Sequence, residues 1–196
     1  MGRPKEFEEN EVLEKAMNLF WKNGYNATSM QMLVTGLGIN RASIYDTFGG
    51  KREIFDKAFT QYREQNMKRV RAYINEQDSP LQAMKDLLIM SIEGQYADPD
   101  KKSCFIVNTT TELSSTESEI REVLSQNKAE MIEIFSEALK NSEEMGEIKK
   151  GQDLKSLASM IYTLFSGLQI VGKLSSNKEE LINTVNAGFA AIQLNS

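Results

Sequence analysis

Few side chains in this 196-residue chain fit a catalytic or metal-binding pattern. The chain has no histidine, which excludes a Ser-His-Asp triad, a Cys-His pair and any histidine-ligated metal. Its single cysteine, Cys104, can form neither an internal disulfide nor a cysteine-rich zinc site. Because no paired catalytic motif, phosphate-binding glycine loop or metal-ligand spacing occurs, we predict a protein that is not an enzyme and holds no metal or cofactor.

The charged residues are divided unevenly along the chain, whose net charge is −5. Residues 1–75 hold 12 Lys and Arg against 9 Asp and Glu, a net charge of +3. Residues 76–196 hold 11 against 19, a net charge of −8. This division predicts that only the front of the chain meets a polyanion.

The hydrophobic pattern is helical almost throughout, with no convincing strand alternation, and predicts an all-α fold. No signal-peptide run follows the first residues, and no stretch approaches about 18 uncharged apolar residues. We therefore expect a soluble cytoplasmic protein without a membrane span. Nine helices are expected, at about residues 8–23, 28–36, 40–48, 51–74, 79–96, 103–113, 117–142, 154–174 and 178–194.

The second and third helices, joined by a turn that contains Gly38, have the layout of a DNA-binding helix-turn-helix. Ile44 and Phe48 are one turn apart and would lie on the inner face of the third helix. The outer face then carries one cation, small side chains that allow close approach, and polar groups that can meet base edges and phosphates. These outer residues are Arg41, Ala42, Ser43, Tyr45, Asp46 and Thr47.

The N-termini of the second and fourth helices carry residues that are suited to binding phosphate. Thr28 and Ser29 lie where the second helix begins, and free amides at a helix N-terminus favour an anion. Lys51 and Arg52 open the fourth helix with formal positive charge. Arg3 and Lys5 add cations on an N-terminal arm.

The segment from Gly24 to Phe55 resembles the N-terminal domain of the TetR family of bacterial transcriptional regulators. In that family a helix ending in Phe and Gly-Tyr or Gly-Phe leads to a Thr-Ser or Thr-Thr cap. A turn Gly, a hydrophobic residue, a polar cap and a Leu/Ile-Tyr-x-x-Phe recognition helix with a following Lys come next. The matching positions, which fall in the first 60 residues, are Phe20, Gly24, Tyr25, Thr28, Ser29, Gly38, Ile39, Asn40, Ile44, Tyr45, Phe48 and Lys51.

The resemblance implies an N-terminal three-helix helix-turn-helix domain in residues 1–50 and a larger ligand-binding and dimerisation domain in residues 51–196. It implies a homodimeric repressor that a small-molecule or electrophile effector releases from a palindromic double-stranded DNA operator. By the same resemblance, Tyr45 and Lys51 would contact phosphate. The backbone would be held by Thr28, Ser29 and Arg41, and the bases would face Ala42, Asp46 and Thr47.

Asp46 departs from the family, whose members often carry an aromatic residue, Lys or Ala there. A carboxylate facing DNA is costly unless it accepts from a cytosine amino group or pairs with a cation. Asp46 therefore either reads a base or only offsets nearby charge, such as that of Arg41 or Lys51.

The resemblance also implies an effector cavity among the helices of the rear domain. The candidate lining residues are Met90, Tyr96, Cys104, Phe105, Asn108, Tyr162, Phe165 and Gln169. Thr109, Thr110 and Thr111 are further polar candidates, although hydrogen bonds within the helix and to solvent explain any one of them better.

The eighth helix is apolar on more than one face, so it must be covered on all sides. A second subunit is the expected cover, with the eighth and ninth helices pairing as a four-helix bundle in which Leu168 and Phe189 take part. The alternative is a wholly internal core.

Cys104 lies at the start of the sixth helix, after Lys101 and Lys102, and Lys173 is a third cation that the fold could bring near. A helix N-terminus and cations stabilise the reactive thiolate. The segment also resembles a subset of the family with a Cys here, some of which sense electrophiles or oxidants. The alternative is an inert buried cysteine.

Two other functions remain to be separated from a regulator. An enzyme would need Asp, Glu, Lys or Cys104 as its catalytic group. A helical adaptor that binds only protein would show no salt-dependent affinity for DNA, whereas a regulator must show it.

Overall fold

In a computed structural model of the chain, residues 8–100 and 102–194 are described. All regular structure in them is helical, which confirms the predicted all-α class and the nine helices. The helices are α1 (Glu9–Asn23), α2 (Met30–Leu37), α3 (Arg41–Phe48), α4 (Lys51–Glu76), α5 (Pro80–Ala97), α6 (Phe105–Leu113), α7 (Ser118–Glu144), α8 (Leu154–Val171) and α9 (Lys178–Leu194).

The chain divides into two compact units, residues 1–66 and residues 67–196, so that α4 contributes to both. The assignment of functional domains to residues 1–50 and 51–196 stays a prediction.

The front unit is held together by apolar side chains that α1 to α4 turn toward one another. Phe20, Leu33 and Ile44 are completely buried, and they represent α1, α2 and α3 in this core. On the α4 side the core is aromatic, since Phe55 meets Phe20 edge-on with ring centroids 5.1 Å apart. Burial of such rings is a large favourable contribution to folding a unit of this size.

The turn between α2 and α3 is built by local chemistry that the sequence predicts. Gly38 takes a left-handed conformation (φ 70°) and its amide donates to the Val34 carbonyl. The side chain of Asn40 then accepts from the Ser43 amide at 2.8 Å and starts α3. These two residues therefore set the angle at which α3 leaves α2.

The rear unit has a core shared by α5, α7, α8 and α9, with the C-terminal end of α4 added to it. Met84, Leu88 and Ile92 on α5 are almost wholly buried, as are Ile161 on α8 and Val185 on α9. Helix α5 begins as predicted, with Ser79 accepting from the Gln82 amide and Pro80 at the first helical position.

Several helix ends differ from the prediction by up to three residues. The N-cap of α2 is Ser29 rather than Thr28, because the Ser29 hydroxyl accepts from the Met32 amide at 3.2 Å. Helix α6 begins at Phe105, since Ser103 has a positive φ of 60° and Cys104 is the N-cap. Helix α8 ends at Val171 rather than Leu174.

Helix α8 is also the one helix in the described residues that is long and apolar enough to cross a membrane, judged by length and composition alone. The core helix of a soluble protein meets the same test. Only 22% of Leu154–Val171 is buried within the chain, so much of this apolar helix faces away from the chain's own core.

Candidate DNA-binding surface and effector site

Helix α3 has an inner face that is fully buried and an outer face that is open. Ile44 is 0% exposed and Phe48 4%. The six predicted contact residues on the other side differ in access: Arg41, Ala42, Tyr45 and Asp46 are exposed, while Ser43 and Thr47 are half-buried. The short helix is thus anchored by two residues and presents a polar face about two turns long.

Tyr45 is the most prominent apolar side chain on that face, with 46% of its surface exposed. The Arg41 guanidinium carbon lies 5.8 Å from the centre of its ring. Gly50, at a φ of 151°, packs beside the ring, and a Cβ there would lie 3.3 Å from a Tyr45 ring carbon. Glycine at this position lets the chain turn into α4 while the Tyr45 ring keeps its orientation.

Lys51 is the first residue of α4. Its Nζ donates to the carbonyl of Asn26 at 3.4 Å and lies 4.5 Å from the centre of the Tyr25 ring. The ammonium group is therefore held beside the loop that precedes α2. Ser29, a second candidate phosphate contact, follows this loop closely in sequence.

The structure does not support a side-chain contact from Thr28 to DNA. Thr28 is 0% exposed, and its hydroxyl donates to the Gly24 carbonyl at 2.6 Å. The reason is that the chain between α1 and α2 folds back on itself, so the hydroxyl closes that turn instead. The neighbouring Ser29 is exposed.

Asp46 is exposed, and across the described part of the chain no ion pair joins it to Arg41 or Lys51. Offsetting nearby charge needs no direct ion pair, so both interpretations of Asp46, base reading and charge compensation, stay predictions.

In the rear unit a polar cluster crosses the otherwise apolar core. The Ser103 hydroxyl lies within hydrogen-bond distance of the Gln169 carbonyl (2.9 Å) and of Gln169 Oε1 (3.1 Å). Gln169 Nε2 donates to Ser91 Oγ at 3.0 Å, and Gln95 Nε2 donates to the Gln169 carbonyl at 3.2 Å. These bonds join three parts of the chain at one point: α5, α8 and the segment just before α6.

Two predicted pocket residues make further ties around this cluster. Asn108 donates to the Lys102 carbonyl at 2.6 Å and accepts from Lys173 Nζ at 2.5 Å. Tyr96 donates through its hydroxyl to the Ser175 carbonyl at 3.0 Å. Both residues therefore hold the segment that follows α8.

Cys104 is buried, with 9% of its surface exposed. Tyr162 is its electrostatic neighbour: burial raises the pKa of the Tyr162 phenol, and the negative charge of an ionised Cys104 raises it further. Side-chain hydrogen bonds with Ser166 and with the buried Asn127 favour the ionised phenol and so lower the pKa of Tyr162.

The cations expected around Cys104 have other partners. Lys102 Nζ lies 3.8 Å from a carboxylate oxygen of Asp98, and Lys173 binds Asn108 as described above. Lys101 lies outside the described residues, as do Arg3 and Lys5.

The remaining predicted pocket residues differ in how far their side chains are buried. Phe105 is 2% exposed and Phe165 is half-buried against the rear core. Met90, in contrast, is 44% exposed, because α5 turns Leu88 and Ile92 inward instead. Met90 is thus a surface residue, and its contact with a ligand stays a prediction.

Two threonines of α6, Thr110 and Thr111, hydrogen-bond within the helix. Thr110 donates to the Ile106 carbonyl at 2.7 Å, and Thr111 lies within hydrogen-bond distance of the Val107 and Asn108 carbonyls. Their hydroxyls are therefore satisfied within the helix.

Sequence reasoning missed Gln95, Ser103 and Asn127, each at least nine-tenths buried. A signal existed for Gln95, which continues the apolar spacing of Leu88 and Ile92 with a polar residue. A polar side chain on a buried stripe needs a partner, and that need marks it for a structural or binding role.

Comparison with known proteins finds two family models on the chain. Residues 12–58 match the model of bacterial regulatory proteins of the tetR family, and residues 80–187 match a tetracyclin repressor-like C-terminal domain.

Similar proteins span nearly the whole chain. An uncharacterized HTH-type transcriptional regulator of Bacillus subtilis (strain 168), YezE, is 28% identical over 98% of this chain and 100% of its own. The HTH-type transcriptional repressor ComR of Escherichia coli (strain K12) is 26% identical over 92% of this chain and 87% of its own. A solved structure of a cysteine mutant of the TetR family regulator CifR, complexed with 26-bp double-strand operator DNA, is 26% identical; the match covers 97% of this chain and 100% of that one, with a TM-score of 0.85.

Proposed function

The chain belongs to the TetR family of bacterial transcriptional regulators, and from that premise we propose that it is a homodimeric, cytoplasmic repressor that an effector releases from a near-palindromic operator. It is a DNA-binding transcriptional regulator and not an enzyme. The observation that carries the proposal is the outer face of α3, which is polar and open while Ile44 and Phe48 anchor the helix from behind.

Helix α3 would enter the major groove. Tyr45 and Lys51 would contact phosphates, and Ser29 and Arg41 would hold the backbone near the helix N-termini. Ala42, Asp46 and Thr47 would face the bases. In a two-fold dimer the two α3 helices would occupy half-sites about 34–36 Å apart, which is why the operator would be a near-palindrome.

Assembly through α8 and α9 is supported by the apolar surface that α8 leaves uncovered. Met160 and Val171, three turns apart on one side of α8, are 40% and 45% exposed, and Leu174 just beyond the helix is 84% exposed. On α9 small residues such as Ala187 and Ala190 are exposed. A second copy of the chain can cover this surface through helix packing across a two-fold axis.

An effector would act on the rear unit, where α5, α6 and α8 meet at Gln95, Ser103 and Gln169. It would be a small, largely apolar molecule, because the surroundings are apolar with a few convergent polar groups. Its binding would be transmitted through α4, the helix that both compact units share.

The direct experiment is a gel shift of the purified protein with the intergenic DNA upstream of its own gene, repeated at several salt concentrations and with candidate ligands. A regulator must bind with an affinity that falls as salt rises, because phosphate contacts release counterions. Absence of salt-dependent binding to any upstream fragment would leave the protein-binding adaptor as the better explanation.

An electrophile is the sharper form of the effector hypothesis, and Cys104 is the residue that would react. The Cys104 thiol loses its proton to solvent, and the thiolate adds to a ring carbon of the quinone. The C–S bond forms as the ring C=C π bond breaks, its electron pair moves to the quinone oxygen, and that oxygen takes a proton from solvent. We expect quinone treatment to release operator DNA from the wild type and to leave Cys104→Ser bound. If the wild type keeps its DNA, or if Cys104→Ser lets go equally well, Cys104 is not the sensor.

A further inference from the structure

Lys51 occupies a position that helix stability alone disfavours. It is the first residue of α4, where the helix macrodipole is positive and a cation is worth less than an anion. A lysine side chain also loses rotamer freedom when it is held in one place. Something other than α4 must therefore keep the ammonium group where it is.

The ring of Tyr25 is the group in contact with that ammonium. Lys51 Nζ lies 4.5 Å from the ring centre, well inside the distance at which an aromatic face attracts a cation. The Asn26 carbonyl, on the next residue, accepts from the same Nζ at 3.4 Å. The contact with Tyr25 uses the π face of the ring. It therefore leaves N–H bonds of the Lys51 ammonium group free for another acceptor.

The Tyr25 ring is itself fixed by the buried core. It is stacked on Phe20, with ring centroids 6.1 Å apart and planes at 27°, and it meets Phe55 at 4.9 Å. Phe20 and Phe55 are 0% and 1% exposed. The ring is therefore a rigid platform that connects the core of the front unit to Lys51.

We propose that Tyr25 is a positioning residue for DNA binding: its ring holds the Lys51 ammonium in place before DNA arrives, so that the phosphate contact forms with little further loss of side-chain freedom. This inference depends on the proposed phosphate contact of Lys51. Tyr25 needs no contact with DNA itself, and its effect passes through Lys51.

The test is a double-mutant cycle on DNA affinity, with Tyr25→Leu, Tyr25→Phe, Lys51→Ala and Tyr25→Leu/Lys51→Ala. The probes are a labelled mixed-sequence duplex of about 30 base pairs, long enough for two half-sites one helical turn apart, and the upstream intergenic DNA. Binding is followed by fluorescence anisotropy, and thermal melts check that each variant is folded.

We expect Tyr25→Leu to weaken binding about two- to fivefold for each half-site, the size of one exposed cation–π contact, on both duplexes. A uniform loss is the signature of a phosphate contact, whereas a base contact would affect one sequence more. Tyr25→Phe keeps the ring and should bind like the wild type. In the Lys51→Ala background, Tyr25→Leu should cost nothing more.

Each other result overturns a definite part of the argument. If Lys51→Ala binds like the wild type, the phosphate contact proposed for Lys51 is wrong. If Lys51→Ala weakens binding but Tyr25→Leu weakens it equally with and without Lys51, Tyr25 does not act through Lys51. If Tyr25→Phe is as weak as Tyr25→Leu, the hydroxyl and not the ring matters.

Tyr25→Leu could fail to fold, because Tyr25 packs on Phe20 and Phe55. A phenylalanine with three ring fluorines at position 25 then takes its place, since it keeps the ring's packing but weakens the attraction of its face for a cation. Affinity equal to that of Tyr25→Phe would again contradict the proposal.

Discussion

Tyr45 and Thr28 show how far single residues can be assigned from sequence. Tyr45 was expected on the outer face of α3 because Ile44 and Phe48 define the inner face, and its 46% exposure agrees. Thr28 was expected to face DNA from a helix N-terminus, yet it is buried. Helical periodicity predicts which side of a helix a residue occupies. It does not predict that a loop carbonyl, such as that of Gly24, accepts a hydrogen bond from a nearby hydroxyl.

At this scale we predict that Tyr45→Phe weakens operator binding about fivefold for each half-site, the effect expected when each subunit loses one hydrogen bond worth ~1 kcal/mol. The ring, its contact with Arg41 and its packing beside Gly50 all remain, so the thermal midpoint should not change. Anisotropy titration with operator DNA measures the affinity. Tyr73→Phe on the rear part of α4 is the matched control, and equal losses in the two variants would contradict a specific role for the Tyr45 hydroxyl.

Helix boundaries were predictable where capping chemistry is local. Gly24, Gly38 and the Ser79-Pro80 pair end or begin helices as their residue types predict. The start of α6 was not predictable, because it depends on Ser103, whose left-handed conformation is tied to Gln169 on a distant helix. That Gln95 and Ser103 join Gln169 in one polar cluster was not predictable for the same reason, since the bonded residues lie more than 60 residues apart in sequence.

Two substitutions of Ser103 separate the effect of backbone strain from the effect of its hydrogen bonds to Gln169. Alanine loses the bonds to Gln169 and still pays about 1–2 kcal/mol for the left-handed conformation. Glycine loses the same bonds but adopts φ 60° freely. We expect Ser103→Ala to lower the thermal midpoint by several degrees and Ser103→Gly to lower it less.

The same variants should change the access of reagent to the thiol beside them. Cys104 is the only cysteine in the chain, so a disulfide reagent that releases a coloured thiolate reports on this site alone. The reaction should be faster in Ser103→Ala than in Ser103→Gly or the wild type, with Ser125→Ala, exposed on α7, as the control. Equal rates and equal midpoints in all four proteins would mean that the Ser103–Gln169 contact does not hold this segment.

For the whole molecule, the sequence indicates that α8 needs a cover but not which of its residues face outward. Leu168 and Phe189 were expected at a dimer interface, yet they are 3% and 2% exposed within one chain and belong to its own core. A charge at either position would therefore test folding rather than assembly. The sequence of an apolar helix does not distinguish its covered sides from its exposed ones, and the packing of α5, α6, α7 and α9 selects the sides of α8 that are covered.

The proposed dimer is better tested at Val171, which is 45% exposed at the C-terminal end of α8. Val171→Lys puts a charge into the expected interface, while a cation at a helix C-terminus favours the helix itself, so α8 should stay intact. Burying an unpaired charge costs at least ~3 kcal/mol, so the dimer should dissociate at least about a hundredfold more readily.

Light scattering after size exclusion should then give the monomer mass of 22.2 kDa, and operator affinity should fall because two half-sites are no longer bound together. Met145→Lys, a change at a residue that is 59% exposed and lies off this surface, should remain dimeric. A stable dimer from Val171→Lys would mean that subunits meet elsewhere and that something other than a second copy covers the outer side of α8.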